Sequence, residues 1–474
     1  MEEVAEDYFG ELMNRSMVQV ARRYRTRGAV KTCRLHDLMR DFCVSKSRNE
    51  NFIVTAGSSS VQHSSTTHSR RIAFHFDAGL GNHAPSMKKL NTNLRSLICF
   101  RVNVFPELSL NNGNLKLLRV LQLVFYRDHH VKVPKEIGNL IHLRYLKFSD
   151  ADISKLPNSV GNLRYLHTLD LRDCYFILVS GNAISKLVHL RHLLLPDWSY
   201  VIGPLRIDKL SNLETLKTVV AENLIRYGEG VKLTNLRDLG VRFKSVKEVS
   251  FVLRSPGSQL ARLRSLRLIL REEEFPSLDI LVDCAALYKL HLHGRLSQQH
   301  SSFLPKSLVK LELRSPLLNQ DLVVVLEKME NLRILYYTFD RYLDHLGLSR
   351  GAILSKMVFS AHGFPKLEIL RLVALDELEE WEVGEDAMAN LKRLDISYIP
   401  KLKMIPDGLK YVTTLQELNI ILMSRKFEGR LRVMDGVEGE DFHKVQHIPS
   451  ISFFDTREND EYLIQSEVVT TINN

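Results

Sequence analysis

Leucines recur along this chain in a fixed phrase. The stretch Leu163-Arg164-Tyr165-Leu166-His167-Thr168-Leu169-Asp170-Leu171 reads L-x-x-L-x-x-L-x-L, and the phrase returns down most of the sequence. Registered on its second leucine, it anchors at Leu94, Leu118, Leu143, Leu166, Leu190, Leu213, Leu236, Leu263, Leu287, Leu308, Leu332, Leu367, Leu391 and Leu415. These fourteen units are spaced by 24, 25, 23, 24, 23, 23, 27, 24, 21, 24, 35, 24 and 24 residues. In each unit two apolar positions lie two apart, as Leu169 and Leu171 do. On a strand they share one face, while Thr168, Asp170 and Arg172 take the other. One such strand cannot bury its leucines alone, so successive units must stack, pair their strands in parallel and close over the core with return segments.

A period in the twenties with this phrase predicts a leucine-rich-repeat solenoid of the α/β class, its parallel sheet lining a concave face. At ~4.8 Å between paired strands, the units would span an arc on the order of 60 Å, a length suited to a protein partner. The register names the side chains that leave the core. Tyr145, Lys147, Arg172, Arg242, Arg267, His291, His293, Arg314, Tyr336, Arg371 and Arg393 are the candidate partner-binding positions. Arginine, tyrosine and histidine bring large contact areas and directional hydrogen bonds to protein interfaces. Plain solvated charge is the competing reading of the same positions. The interval of 35 between Leu332 and Leu367 holds Tyr336, Tyr337, Phe339, Tyr342 and Gly351, and reads as an insertion, either packed or a specificity loop.

The ends of the chain follow other patterns. Val4, Ala5, Tyr8, Phe9 and Leu12 fall at helical spacing after Glu2, Glu3 and Glu6, predicting a short amphipathic helix. Two strands are expected over 16–21 and 30–35 around a basic turn, and a second helix from Leu38 with Met39 and Phe42 on its apolar face. Helix, hairpin, helix is a winged-helix pattern. Residues 57–69 are too polar to bury anything and read as a linker. Ile72, Phe74 and Phe76 alternate on a strand expected to cap the solenoid, and a helix is expected over 425–433. The expected organisation is a partial winged helix over 1–56, the linker, repeats over 70–424, and a cap and loose tail over 425–474.

Residues 3–52, and above all Arg34-Leu35-His36-Asp37-Leu38-Met39-Arg40-Asp41, resemble the end of the winged-helix domain of plant intracellular nucleotide-binding leucine-rich-repeat immune receptors of the coiled-coil type. Leu156-Pro157 and Ile405-Pro406 resemble that family's return segments, and the tail from Gly439 to Ile451 is similar as well. The resemblance implies a cytoplasmic plant defence protein. It would be the recognition and autoinhibitory portion of a receptor, binding a pathogen effector or a guarded host protein. In that family a Met-His-Asp motif closes over bound ADP, and Leu35, His36 and Asp37 stand in its place here. The resemblance therefore makes His36 and Asp37 candidate nucleotide-sensing residues. Read on the residues alone, they are the end of a strand and a helix cap.

The phosphate-binding loop that motif works with, G-x-x-x-x-G-K-[ST], does not occur in the sequence, and no glycine is followed by lysine. The chain itself is thus expected to need no cofactor, with ADP and ATP belonging to the full-length family. The family's nucleotide-binding domain becomes an expected partner if Met1 is an internal methionine of a longer receptor. A domain of fewer than about 60 residues struggles to offset its chain entropy, which is the physical motive for that expectation.

Composition narrows the alternatives. Sixty-five Lys and Arg against 55 Asp and Glu leave +10, but no nucleic-acid-binding motif accompanies the excess, so no nucleic acid is expected. Five scattered cysteines without C-x-x-C point to a reducing compartment, and no run of 18 apolar residues offers a membrane span. His291 and His293 share a strand face, too few ligands for zinc. No hydrolase, kinase or dinucleotide signature is present, which predicts a non-enzyme. An intracellular repeat scaffold for signalling proteins is the alternative function, and the first 56 residues are what such a scaffold has no reason to carry.

Overall fold

The computed structural model describes residues 11–12, 15, 17–23, 30–35, 37–50, 52–57, 69–76, 93–103, 105–106, 115–126, 130–174, 177–196, 199–227, 235–254, 260–296, 304–315, 319–339, 354–434 and 436–454. The chain divides into two compact units, Met1–Phe243 with Lys247–Arg267, and Lys244–Val246 with Leu268–Asn474. Both have the leucine-rich-repeat fold.

All fourteen anchor leucines are buried, none more than 6% exposed. Each repeat strand begins two residues after its anchor, from Ser96 after Leu94 to Glu417 after Leu415. In the first unit Val54–Gly57, Arg71–His75, Ser96–Val102, Val120–Phe125, Tyr145–Ser149, Thr168–Asp170, His192–Leu194, Thr215–Val220 and Asp238–Phe243 pair in that order, all parallel. In the second, Lys289–Leu296, Lys310–Arg314, Ile334–Thr338, Ile369–Val373, Arg393–Ser397, Glu417–Ile421 and Ser450–Phe454 do the same.

The parallel sheet thus starts one strand before the expected 70–76 strand and ends one strand after the last leucine phrase. The reason is substitution at the anchor. Phe52, 54% exposed, stands in the anchor place of Val54–Gly57. Ile448, 6% exposed, fills that of Ser450–Phe454. Neither is a leucine, so the phrase does not announce them.

Val133-Pro134, Leu156-Pro157 and Ile405-Pro406 each enter a short 3-10 helix, Lys135–Asn139, Asn158–Asn162 and Asp407–Tyr411. Proline stands at the N-cap of each, where its fixed φ fits the extended backbone and its missing N–H has no intrahelical partner to lose. Beyond the strand the chain must turn off the sheet. Seven residues past the anchor it does so with a positive φ at Arg101, Asp150, Ser315, Ala374, Tyr398 and Leu422, between 49° and 61°. That conformation costs a non-glycine residue about 1–2 kcal/mol. The N–H groups freed there pair with the next strand, as Tyr398 N–H does with the Ile421 carbonyl at 3.0 Å.

Part of the 35-residue interval is spent on Lys356–Phe359, a strand parallel to Glu380–Val383 on which Phe359 meets Trp381 edge-on. Residues 340–353, with Tyr342 and Gly351, lie outside the described residues. At the N-terminal end Val18–Arg23 and Val30–Leu35 form an antiparallel pair followed by the helix Asp37–Asn49, on which Leu38 and Phe42 are exposed. The helix expected over 2–14 is described only at Glu11 and Leu12, and most of 57–69 and all of 455–474 lie outside the described residues. Arg425–Leu431 is the expected late helix.

Candidate protein-recognition surface

Residues two and four past each anchor leave the core, so the register brings them into rows across the strands. In the first unit Tyr145 stands opposite Thr168 and Lys147 opposite Asp170. Asp170 is the focus: its side chain is 4% exposed and accepts from Arg172 Nε at 2.9 Å and Nη2 at 2.8 Å. Lys147 Nζ lies 3.6 Å from Asp170 and donates to Asp173 at 3.0 Å. Burial pushes the Asp170 carboxyl up, but Arg172 and Lys147 outweigh it and hold its pKa below the ordinary value. Burial, then the Asp170 charge, pushes Tyr145 up. Arg242 stands half-buried opposite Val220, and Arg267 half-buried on Ser265–Phe275.

In the second unit one row runs His291, Glu312, Tyr336, Arg371, Asp395, Asn419, Ser452 over seven strands in register. Its carboxylates lie against cationic or amide neighbours. His291 Nδ1 lies 3.1 Å from Glu312, and Lys310 Nζ lies 3.6 Å from Glu312 and 4.2 Å over the Tyr336 ring, with Arg371 6.0 Å from that ring. Arg393 donates to Asp395 at 2.7 Å and Glu417 at 3.2 Å, and Asn419 donates to Asp395 at 2.7 Å. Burial pushes Glu312 up, yet His291, Lys310 and Lys289 hold it well below the ordinary carboxylate range. Arg314 stands half-buried opposite Thr338. His291 and His293 are buried at 5% and 1%, so of the sequence-derived positions these two form the wall rather than the exposed edge.

Such a surface offers paired ions, amide edges and one aromatic face. That chemistry suits a polypeptide partner, since groups held by neighbours need little ordering on binding. Among the described residues no group of three or more His, Cys, Asp or Glu side chains is placed to hold a metal ion. His36 and the Asp37 side chain lie outside the described residues. Sequence reasoning passed over the position immediately after the anchor. Arginine recurs there in Leu94-Arg95, Leu118-Arg119 and Leu143-Arg144, a signal visible in the chain but hidden by attention to the positions further along each strand.

Asp170→Asn is expected to destabilise the first unit by about 1.5–3 kcal/mol at neutral pH, because it takes the buried carboxylate charge from Arg172 and leaves Lys147 with Asp173 alone. A depressed carboxyl pKa contributes stability above its unfolded value and loses it as pH falls through the folded value. Urea midpoints of the two proteins should therefore differ at pH 7 and converge as the pH falls through the lowered folded value. A constant difference across that range would disprove the assignment.

The sequence family described as "Leucine-rich repeat region" matches residues 93–428, and "Disease resistance protein Winged helix domain" matches residues 1–43. The chain belongs to the leucine-rich-repeat family, and its first 43 residues match the winged helix of disease resistance proteins. Among its Arabidopsis thaliana relatives, probable disease resistance RPP8-like protein 2 is 34% identical over 469 residues, covering 96% of this chain and 49% of that protein. Disease resistance protein RPP8 is 33% identical over 477 residues, with coverages of 96% and 49%. Probable disease resistance protein RXW24L is 33% identical over 475 residues, with 95% and 48%. The chain spans about half the length of the curated relatives it matches. Among the described residues no helix is long and apolar enough to cross a membrane.

Proposed function

We propose that the chain is the recognition and autoinhibitory portion of a plant defence receptor, and that the open faces of its sheets bind a pathogen effector or a guarded host protein. The observation that carries the reading is a constant core beneath a changing surface. Leucine repeats at the fourteen anchors, while the pairs that follow run Tyr145 and Lys147, Thr168 and Asp170, Lys310 and Glu312, Arg393 and Asp395, Glu417 and Asn419. A surface that differs from rung to rung is what selection for one specific partner leaves on a repeating scaffold.

The winged-helix strands support the receptor reading over the scaffold reading, because a free-standing scaffold has no use for them. Exposed Leu38 and Phe42, at 76% and 61%, are suited to packing against the family's nucleotide-binding domain. The full-length family would supply ADP or ATP binding from that domain.

The test uses the whole chain as bait in extract from challenged plant tissue, beside an Arg172→Glu, Arg371→Glu, Arg393→Glu variant of equal thermal stability. At least one protein is expected to be recovered on the parent and lost on the variant. Identical recovery of every protein would reject open-face recognition.

A further inference from the structure

The open face of the second unit is charged oppositely at its two ends. On its first four strands, from Lys289–Leu296 to Ile369–Val373, the positions two, four and six past the anchor hold Lys289, Lys310, Arg314 and Arg371 but one carboxylate, Glu312. Four cations to one carboxylate leave +3, with His291 and His293 neutral. On the next two strands the same positions hold Arg393 against Asp395 and Glu417, which leaves −1. The side chains of Asp395 and Arg393 are 7% and 28% exposed and bonded to each other, so the most exposed charge at that end is Glu417, at 47%. Between the ends, Tyr336 is flanked from the neighbouring strands by Lys310, 4.2 Å over its ring, and by Arg371, 6.0 Å away. Ile334 and Ile369 beside it are buried.

We propose, resting on open-face recognition, that this face docks a bipolar segment of the partner protein, its acidic residues over Lys289, Lys310, Arg314 and Arg371 and a basic residue at Glu417. An apolar residue between them lies on the Tyr336 ring. The charge difference fixes which way round the segment lies, since like charges at either end oppose the reversed arrangement. Lys310 and Glu417 stand four rungs apart, ~19 Å at ~4.8 Å per rung, which an extended chain covers in about six residues at ~3.3 Å each. The same asymmetry selects protein over nucleic acid. A strand with a phosphate at every nucleotide would lay negative charge on Glu417 as well. Side chains already held by their neighbours, as Lys310 is by Glu312 and the Tyr336 ring, lose little freedom when the partner arrives.

The test titrates the full chain at low salt with a fluorescent peptide of about 12 residues, glutamates at one end, leucine in the middle and lysines at the other. A scramble of the same composition and an oligothymidylate serve as competitors. The bipolar peptide is expected to bind about tenfold tighter than the scramble. A photoreactive group at its acidic end should cross-link to residues 289–314, and one at its basic end to residues 417–452. Lys289→Glu with Lys310→Glu should weaken binding about tenfold. The milder Lys289→Gln with Lys310→Gln, which keeps both side chains long and polar, should weaken it severalfold. Adding Glu417→Lys to the glutamate pair should exchange the two cross-linking sites. Equal binding of the scramble, tighter binding of the oligothymidylate, cross-links that ignore which end is labelled, or unaffected lysine variants would overturn the proposal. A pull-down that separates parent from the Arg172, Arg371, Arg393 variant while the bipolar peptide fails to bind would leave open-face recognition standing and remove this inference alone.

Discussion

Gly294→Ala is expected to cost the second unit about 4 kcal/mol or more, a loss at the extreme of single substitutions. Gly294 lies in Lys289–Leu296 with φ +144°, and a Cβ there would sit 1.8 Å from the Leu270 carbonyl oxygen and 3.1 Å from the Phe275 ring. The first of those atoms is backbone, held in a strand, and cannot yield as the tip of a flexible side chain can. Backbone strain and overlap therefore add. The control is Gly429→Ala in Arg425–Leu431, where nothing lies within 4 Å of the added methyl. That change should stabilise by about 0.5–1 kcal/mol, since alanine loses less entropy in a helix. Thermal and urea denaturation of both variants decide the matter, and equal midpoints would refute it.

Asp441→Ala is expected to loosen the last rung of the second unit by about 3 kcal/mol, close to a hundredfold in its opening equilibrium. Asp441 accepts from Arg430 Nε at 2.6 Å and from Lys444 at 2.8 Å, and Lys444 also reaches Asp407 at 2.6 Å and the Ile405 carbonyl at 3.2 Å. Arg430 is paired with Glu440 too. Asp441 and Lys444 are 3% and 5% exposed, so removing one leaves the other's charge buried. Hydrogen exchange along Ser450–Phe454 should accelerate while the strands from Lys310 to Val373 stay protected, because repeats open locally. Replacing both partners, Asp441→Leu with Lys444→Met, should recover much of the loss.

The pH dependence of this clasp has a definite sign. Burial pushes Asp441 up, but Arg430 and Lys444 lower it, and Lys444 lowers Asp407 chiefly through its hydrogen bond. Burial pulls Lys444 down, but Asp407 and Asp441 raise it above 10.5. The carboxylates contribute fully above their unfolded values near pH 4 and lose the contribution as pH falls through the lower folded values. The lysine contributes fully below 10.5 and loses it as pH rises through its raised folded value. Parent and Asp441→Ala should thus differ most between about pH 5 and 10. A gap that widens in acid would contradict the clasp.

The leucine phrase by itself determined the fold class, the fourteen leucine anchors and where their strands begin. Its information is local: two apolar residues on one strand face, repeated at a fixed interval, admit few packings. The outward rows followed from the same alternation, which is why Tyr145, Lys147, Tyr336, Arg371 and Arg393 could be named in advance. Only the tertiary structure decided which of them are already engaged. That Asp170 faces Lys147, or that Glu312 faces His291, depends on strand partners 20 or more residues away, and sequence does not give a pair's distance. Tertiary packing also decided the extra strands at Val54–Gly57 and Ser450–Phe454, because an existing sheet edge supplies hydrogen bonds that make a weakly patterned segment a strand. It decided the positive φ of Asp150, Tyr398 and Leu422 as well, where cross-rung hydrogen bonding outweighs a local preference that no glycine signals.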